Sequence, residues 1–180
     1  MGLALRVGLR RLEPRDAPAI AAYRSHPDVA RYQSWETYTL LDAERLCAAQ
    51  EGNEIGTPGT WSQLAIVLVE SGEVIGDCGL RFPGPDEPGH GTEVELGITL
   101  GAAHHGKGLA TEAIACAVRL VFEEMGKNAI HASVDARNAP AAGLLARAGF
   151  ARASDRARRA WFKGAWCEEW DYVLRRIERC

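Results

Sequence analysis

No apolar run in these 180 residues approaches the length a membrane-spanning helix needs. No internal repeat or low-complexity linker interrupts the chain, so it reads as one domain over 1–180, long enough to bury a real core. Its cysteines lack any pattern. Cys47, Cys78, Cys116, Cys167 and Cys180 are odd in number and never spaced CxxC, which argues against a disulfide framework or a zinc site. Positive charge is not in excess: a net charge of -3 argues against a nucleic-acid binder driven by phosphate neutralisation. Met1 to Arg11 alternates apolar residues with arginines and lacks the continuous apolar stretch of a signal peptide, so the expected compartment is the cytoplasm. What is present, 47% hydrophobic and 25% charged residues, is the balance of an ordinary globular protein.

Leu5, Val7 and Leu9 alternate with arginines up to Leu12 and predict a first strand. Pro14, Asp16 and the apolar run to Tyr23 mark a helix start, Pro27 stops that helix, and residues 28–32 form a short second one. Thr39 caps a helix to Gln50, with Leu40, Leu41, Ala43, Leu46 and Cys47 at helical spacing. Residues 61–69, apolar on both faces in their second half, predict a central strand. Ser71-Gly72 reads as a two-residue hairpin into a strand over 74–82. Past a turn-rich loop at 83–91, Val94, Leu96, Ile98 and Leu100 alternate with Glu93, Glu95, Gly97 and Thr99 as a further strand. Ala110, Ala113, Ile114, Ala117, Val118, Val121, Phe122 and Met125 then form the apolar stripe of the longest helix, closed by Gly126. A strand over 129–134, a short helix over 140–148 and two last strands (150–153, 166–174) complete the order β-αα-βββ-α-β-α-ββ. That order predicts an α/β fold: a twisted mixed sheet with helices on it, and no parallel series long enough for a doubly wound fold.

The segment richest in chemistry is His105-Gly106-Lys107-Gly108-Leu109-Ala110-Thr111, between a strand and the long helix. Gly106, Gly108 and Ala110 leave the backbone amides uncovered, so several N–H groups point at one anion where the helix dipole also favours negative charge. Lys107 screens a phosphate in this reading, and the Thr111 hydroxyl donates to one. Competing phosphate motifs fail: Gly108 stands where a P-loop needs Ser or Thr, and Thr111 where a dinucleotide fingerprint needs glycine. A plain glycine-rich turn capping a helix is the bland alternative.

His105-x-x-Gly108-x-Ala110 resembles the cofactor motif [Q/R]-x-x-G-x-[G/A] of the GNAT superfamily of acetyl-CoA-dependent N-acetyltransferases, with histidine in place of the usual Gln or Arg. Asp135-Ala136-Arg137-Asn138 with Ala148-Gly149-Phe150 resembles the family's later asparagine and "GF" elements. Gly76-Asp77-Cys78-Gly79-Leu80 and Trp161-Phe162-Lys163-Gly164 with Trp170-Asp171-Tyr172 are similar to the RimJ/RimL branch, which acetylates protein N-termini. The resemblance spans about Leu9 to Arg176 in matching order. It implies acetyl-CoA as co-substrate and an amine acceptor, either a protein N-terminus or a small amine, with no metal; it also allows a homodimer. It implies further that the flanking strands part to admit the pantetheine arm. Backbone groups of Ile98, Thr99 and Leu100 would pair with that arm, the 105–111 loop would hold the pyrophosphate, and Asn138 would touch the arm or its phosphates while capping the helix begun by Pro140. Gly97 would mark a bulge or a close backbone approach. A tyrosine and a serine that the family uses as acids toward the departing thiolate are Leu145 and Ala141 here.

Glu95 is the expected base, with Glu93 second: both face away from Val94, Leu96 and Ile98, and the resemblance to the RimJ/RimL branch, where a glutamate at the Glu95 position is typical, favours Glu95; a structural ion pair is the competing role. His104 and His105 read as solvated loop residues. Asp77 and the aromatics Tyr32, Trp35 and Tyr38 are expected to line the acceptor cleft or to pack, and Arg152, Arg156, Arg158 and Arg159 to form a solvated hairpin face. An α-amine of pKa about 7.7 is partly neutral at pH 7, whereas a lysine amine of about 10.4 is almost wholly charged. A sparse catalytic apparatus therefore favours an N-terminal α-amine over an ordinary lysine. The alternatives are a small-molecule amine or antibiotic as acceptor, and a non-catalytic acyl-CoA-binding module.

Overall fold

Strands β1 (Val7–Arg11), β2 (Trp61–Leu68), β3 (Val74–Arg81), β4 (Glu93–Leu100), β5 (Ala129–Asp135), β6 (Ala151–Arg152), β7 (Arg158–Phe162) and β8 (Ala165–Arg175) form one sheet. Its order is β1-β2-β3-β4-β5-β8-β6, with β7 paired to β8. The structure is a computed structural model that describes residues 5–155 and 157–177; residues 1–4, Arg156 and 178–180, Cys180 among them, lie outside the described residues. The helices are α1 (Ala17–Arg24), the short α2 (Pro27–Ala30), α3 (Leu40–Gln50), α4 (Leu109–Arg119) and α5 (Ala139–Arg147). The expected mixed α/β sheet is observed, and the short second helix expected at 28–32 is α2 at Pro27–Ala30. One strand is added, β7, which pairs with β8 across a reversal made by Lys163 and Gly164 at φ 49° and 76°.

The even-numbered side of β4 packs on α4. Val94, Leu96 and Leu100 meet Leu109, Ala113, Ile114, Ala117 and Val121, all buried in one cluster. Residues three and four apart on a helix share a face, which is how the stripe read in the sequence becomes this contact. Burying one side chain of the size of Ile114 contributes about 1.5–3 kcal/mol. The last turn of this helical run, Leu120–Glu124, widens to a π-turn before Gly126, at φ 67°, reverses the chain. On the sheet's other side Ala65 packs with Ala17 and Ile20 of α1 and Ala43 and Cys47 of α3.

Three details differ from the sequence reading. The β2–β3 connection is longer than two residues: β2 ends at Leu68, whose N–H bonds to the Glu73 carbonyl, and Gly72 takes φ 72°. Gly97 makes no bulge, because β3 and β4 stay in unbroken register from Gly76↔Leu100 to Arg81↔Glu95. A Cβ there would make only an ordinary contact, 3.8 Å from the Trp61 ring. The sheet's irregularity falls instead between Ile66 and Val67 of β2.

β4 and β5 are parallel and pair at only three positions, Glu93↔Ala129, Val94↔Ile130 and Glu95↔His131. Beyond Glu95 they part, while β4 remains paired to β3 and β5 to β8 through Asp135↔Glu169. One backbone edge of β4 is thereby left without a strand partner from Leu96 to Leu100.

Candidate active site

The gap between the parted strands opens into a cleft of about 870 Å³. Ile98, Thr99 and Leu100 form one wall, the loop from His104 to Gly108 and the first turn of α4 a second, and Asn138 to Leu144 a third. Of the expected cofactor residues, Ile98, Thr99, Leu100, His105, Gly106, Gly108, Leu109, Ala110, Thr111 and Asn138 all line it. Lys107 does not. Its side chain is exposed, and its carbonyl accepts from Arg6 Nη2 at 2.8 Å.

Local chemistry explains the loop. Gly106 and Gly108 take φ 73° and 79°, a region that L side chains rarely adopt. Gly108 is the N-cap of α4 and carries no side-chain cap, so the first amides of α4 face the cleft with the positive end of the helix dipole. His105 Nε2 lies 2.7 Å from the Leu100 carbonyl, which ties the loop to the end of β4. From the other side Arg6 donates from Nε to Glu112 at 2.8 Å, and its own N–H reaches the same carboxylate at 2.6 Å. These bonds hold the Glu112 carboxyl below the usual carboxylate range. Asn138 caps α5 as expected, its Oδ1 accepting from the Ala141 N–H at 3.2 Å.

At the two positions of the missing acids, Ala141 lines the cleft and Leu145 is buried in the core at 4% exposure. Its neighbour Leu144 lines the cleft instead.

The opposite face of the sheet carries a smaller hollow of about 350 Å³, lined by Arg81, Glu93, Glu95, His131, Ser133, Arg158 and Asp171 among others. Glu95 stands there at the last paired position before the strands part, and its carboxylate makes no hydrogen bond or ion pair with the described residues. Glu93 is engaged, with Oε2 3.0 Å from His131 Nε2. Ser133 donates to Asp171 at 2.6 Å, and Arg158 bonds to Glu169.

Asp77 does not line an acceptor cleft. It is buried at 2% exposure, accepting from Arg24 Nη2 at 2.6 Å, Arg24 Nε at 3.0 Å and the Tyr23 hydroxyl at 2.6 Å. Burial alone would push the Arg24 guanidinium down, but the Asp77 charge and hydrogen bonds raise it. Burial together with the same carboxylate raises the Tyr23 hydroxyl. Trp35 and Tyr38 wall this ion pair, with the Arg24 guanidinium 4.4 and 4.9 Å from their ring centroids. Only Tyr32 of the three aromatics lines the large cleft. Arg152, Arg158 and Arg159 are exposed as expected, with Arg152 stacked 3.9 Å over Trp170 and Arg159 5.0 Å over Trp166; Arg156 lies outside the described residues.

The sequence reading missed His131, Leu144 and the Arg6–Glu112 pair. His131 left a signal: along β5, His131, Ser133 and Asp135 alternate with Ile130, Ala132 and Val134, which marks a polar face.

The model of the Acetyltransferase (GNAT) domain matches residues 6–151. An uncharacterized N-acetyltransferase p20 of Bacillus licheniformis is 31% identical over 140 residues, which cover 78% of this chain and 76% of that protein. Among solved structures, an acetyltransferase of the GNAT family from Bacillus anthracis superposes with TM-score 0.83 at 20% identity, covering 96% of each chain. RimJ of Mycobacterium smegmatis, in complex with CoA-disulfide, superposes with TM-score 0.78 at 21% identity, covering 94% of this chain and 81% of that one. Spermidine N-acetyltransferase from Vibrio cholerae, in complex with CoA and spermine, superposes with TM-score 0.76 at 19% identity, covering 94% and 95%.

Proposed function

This chain belongs to the GNAT family and is an acetyl-CoA-dependent N-acetyltransferase, and from that premise we propose that its acceptor is a weakly basic primary amine, foremost the α-amine of a peptide N-terminus. The observation that carries the reading is the parting of β4 from β5 after Glu95. It leaves an unpaired backbone edge beside an uncovered helix N-terminus on one side and a free carboxylate on the other.

Acetyl-CoA supplies an activated acyl group and a thiol leaving group. This chain's residues do the holding. The α4 amides behind Gly106, Gly108 and Ala110 suit a pyrophosphate, and the edge over Ile98, Thr99 and Leu100 suits an amide-bearing arm that adds like a strand. The same N–H groups stabilise an oxyanion formed beside the edge. Glu95 takes the proton of the incoming ammonium, with Glu93 the second candidate.

No side-chain hydroxyl stands at the positions of Ala141 and Leu145. A thiol of ordinary pKa about 8.5 leaves as thiolate without an acid, and water protonates it afterwards. The hollow around Glu95 favours a cationic acceptor, since Glu93, Glu95 and Asp171 line it while Arg81 and Arg158 are paired with Glu87 and Glu169.

The test is thiol release from acetyl-CoA with a panel of amines. A peptide whose only amine is its N-terminus should outpace one whose only amine is a lysine. Equal or faster turnover of the lysine peptide, or of spermidine, would move the acceptor assignment to that amine. Binding of acetyl-CoA without thiol release for any amine would contradict the proposed acceptor class.

A further inference from the structure

His131 sits opposite Glu95 in the only stretch where β4 and β5 pair, so the two side chains leave adjacent strands toward one hollow. Its Nε2 is buried, 3.0 Å from Glu93 Oε2 yet out of line for a regular hydrogen bond. Nε2 thus faces Glu93, which leaves Nδ1 as the ring nitrogen open to a second partner. Over a third of the side chain reaches solvent, at 36% exposure. Glu93 itself is seated by the loop before β4. Gly89 lies so close that a Cβ there would meet Glu93 Oε2 at 2.4 Å, and the Glu93 N–H bonds to the Gly89 carbonyl.

Resting on the acceptor reading above, we propose that His131 is a second proton station, which takes the acceptor's proton from Glu95 and passes it to solvent. The N–H bond of the ammonium breaks as an O–H bond forms on Glu95. That O–H breaks as N–H forms at Nδ1 of His131, and water then removes the proton; no electrons are exchanged with any other group. The chemistry asks for such a station. Transfer from an α-ammonium of pKa about 7.7 to an ordinary carboxylate of about 4.3 is uphill by more than a thousandfold, whereas an ordinary imidazole of about 6.5 cuts this to roughly tenfold. The charged groups facing His131 are Glu93 and Glu95 from β4, Arg81 from β3, Asp171 from β8 and Arg158 from β7. Arg81 bonds to Glu87, and Arg158 to Glu169 with Asp171 at 3.6 Å, so both guanidinium charges are offset.

The test follows kcat of the full chain from pH 5.5 to 9.5 at saturating acetyl-CoA. Two acceptors are used: a peptide α-amine, and a hydrazide that is already neutral. For His131→Asn we expect kcat with the α-amine to fall about tenfold at pH 7, with the limb between pH 5 and 8 flattened. The KM for acetyl-CoA should stay unchanged, and the loss with the hydrazide should be under about twofold, which loss of a merely structural contact would not spare. His131→Gln serves if the Asn variant melts early. Gly89→Ala, which displaces the Glu93 carboxylate, should reproduce part of the loss. Wild-type rate and pH profile in His131→Asn, with Glu95→Gln inactive, would overturn the station and leave Glu95 as the base. Absence of thiol release in the wild type with both acceptors would overturn the acceptor reading and this proposal with it.

Discussion

Asp77 and Glu95 are acids on the same face of neighbouring strands, Asp77 opposite Thr99 and Glu95 opposite Arg81 in one continuous register. Their fates are opposite. Asp77 lies under α1, where Tyr23 and Arg24 satisfy it and Trp35 and Tyr38 close it off. Glu95 lies past the edge of that cover, in an open hollow at the point where β4 and β5 separate. A carboxylate that is paired and dry is committed to the fold, and one that is unpaired beside a cleft is available to a substrate. The difference is not in the acid or its strand but in whether a helix roofs it.

Substitution should separate the two sharply. Asp77→Asn strips a buried guanidinium of its counter-charge and should cost about 3–5 kcal/mol in urea unfolding, whereas Glu95→Gln should stay within about 0.5 kcal/mol of wild type. Equal stabilities for the two variants would erase the contrast.

On the cleft side, acetyl-CoA at a hundred times its Kd should stabilise the protein by about 2.7 kcal/mol, read as a rise in Tm. Gly108→Val should abolish that rise, because Gly108 stands at φ 79° at the head of α4. A normal shift in that variant would place the pyrophosphate elsewhere. Leu145→Tyr probes the boundary between cleft and core: with Leu145 at 4% exposure, the larger ring should overpack and cost about 1–3 kcal/mol, with no gain in turnover. A tenfold faster enzyme would mean that thiolate protonation limits the reaction.

The smallest effect concerns the Arg6–Glu112 tie. The bonds from Arg6 lower the Glu112 pKa in the folded state, so the stability they add is present above the unfolded value of about 4.3 and lost as pH falls through the folded one. Arg6→Ala should therefore lower Tm slightly at pH 7, and the gap should narrow as pH falls below the unfolded value. A gap that persists in acid would assign Arg6 a packing role.

The legible parts of the molecule were those set by local pattern. The stripe from Ala113 to Val121 predicted the buried face of α4, the glycines at 106 and 108 predicted a bare loop at the head of that helix, and Thr39 and Asn138 predicted two caps. What stayed illegible depends on contacts distant in sequence. Nothing near Asp77 announces that Arg24, 53 residues earlier, will neutralise it. Gly97 suggests a bulge, yet β3 and β4 run past it in unbroken register. Glu93 and Glu95 alternate alike along the strand, and the contact of His131 with Glu93, 38 residues away in sequence, is not announced by that pattern.

The most direct test of the account is the pH dependence of acetyl transfer to a peptide α-amine in Glu95→Gln. If Glu95 accepts the ammonium proton, kcat should fall by about 10²–10⁴ at pH 7 with acetyl-CoA affinity unchanged, and the deficit should shrink toward pH 9.5, where the amine is neutral unaided. Wild-type turnover of this variant at pH 7 would contradict the assignment and return Glu95 to a structural role.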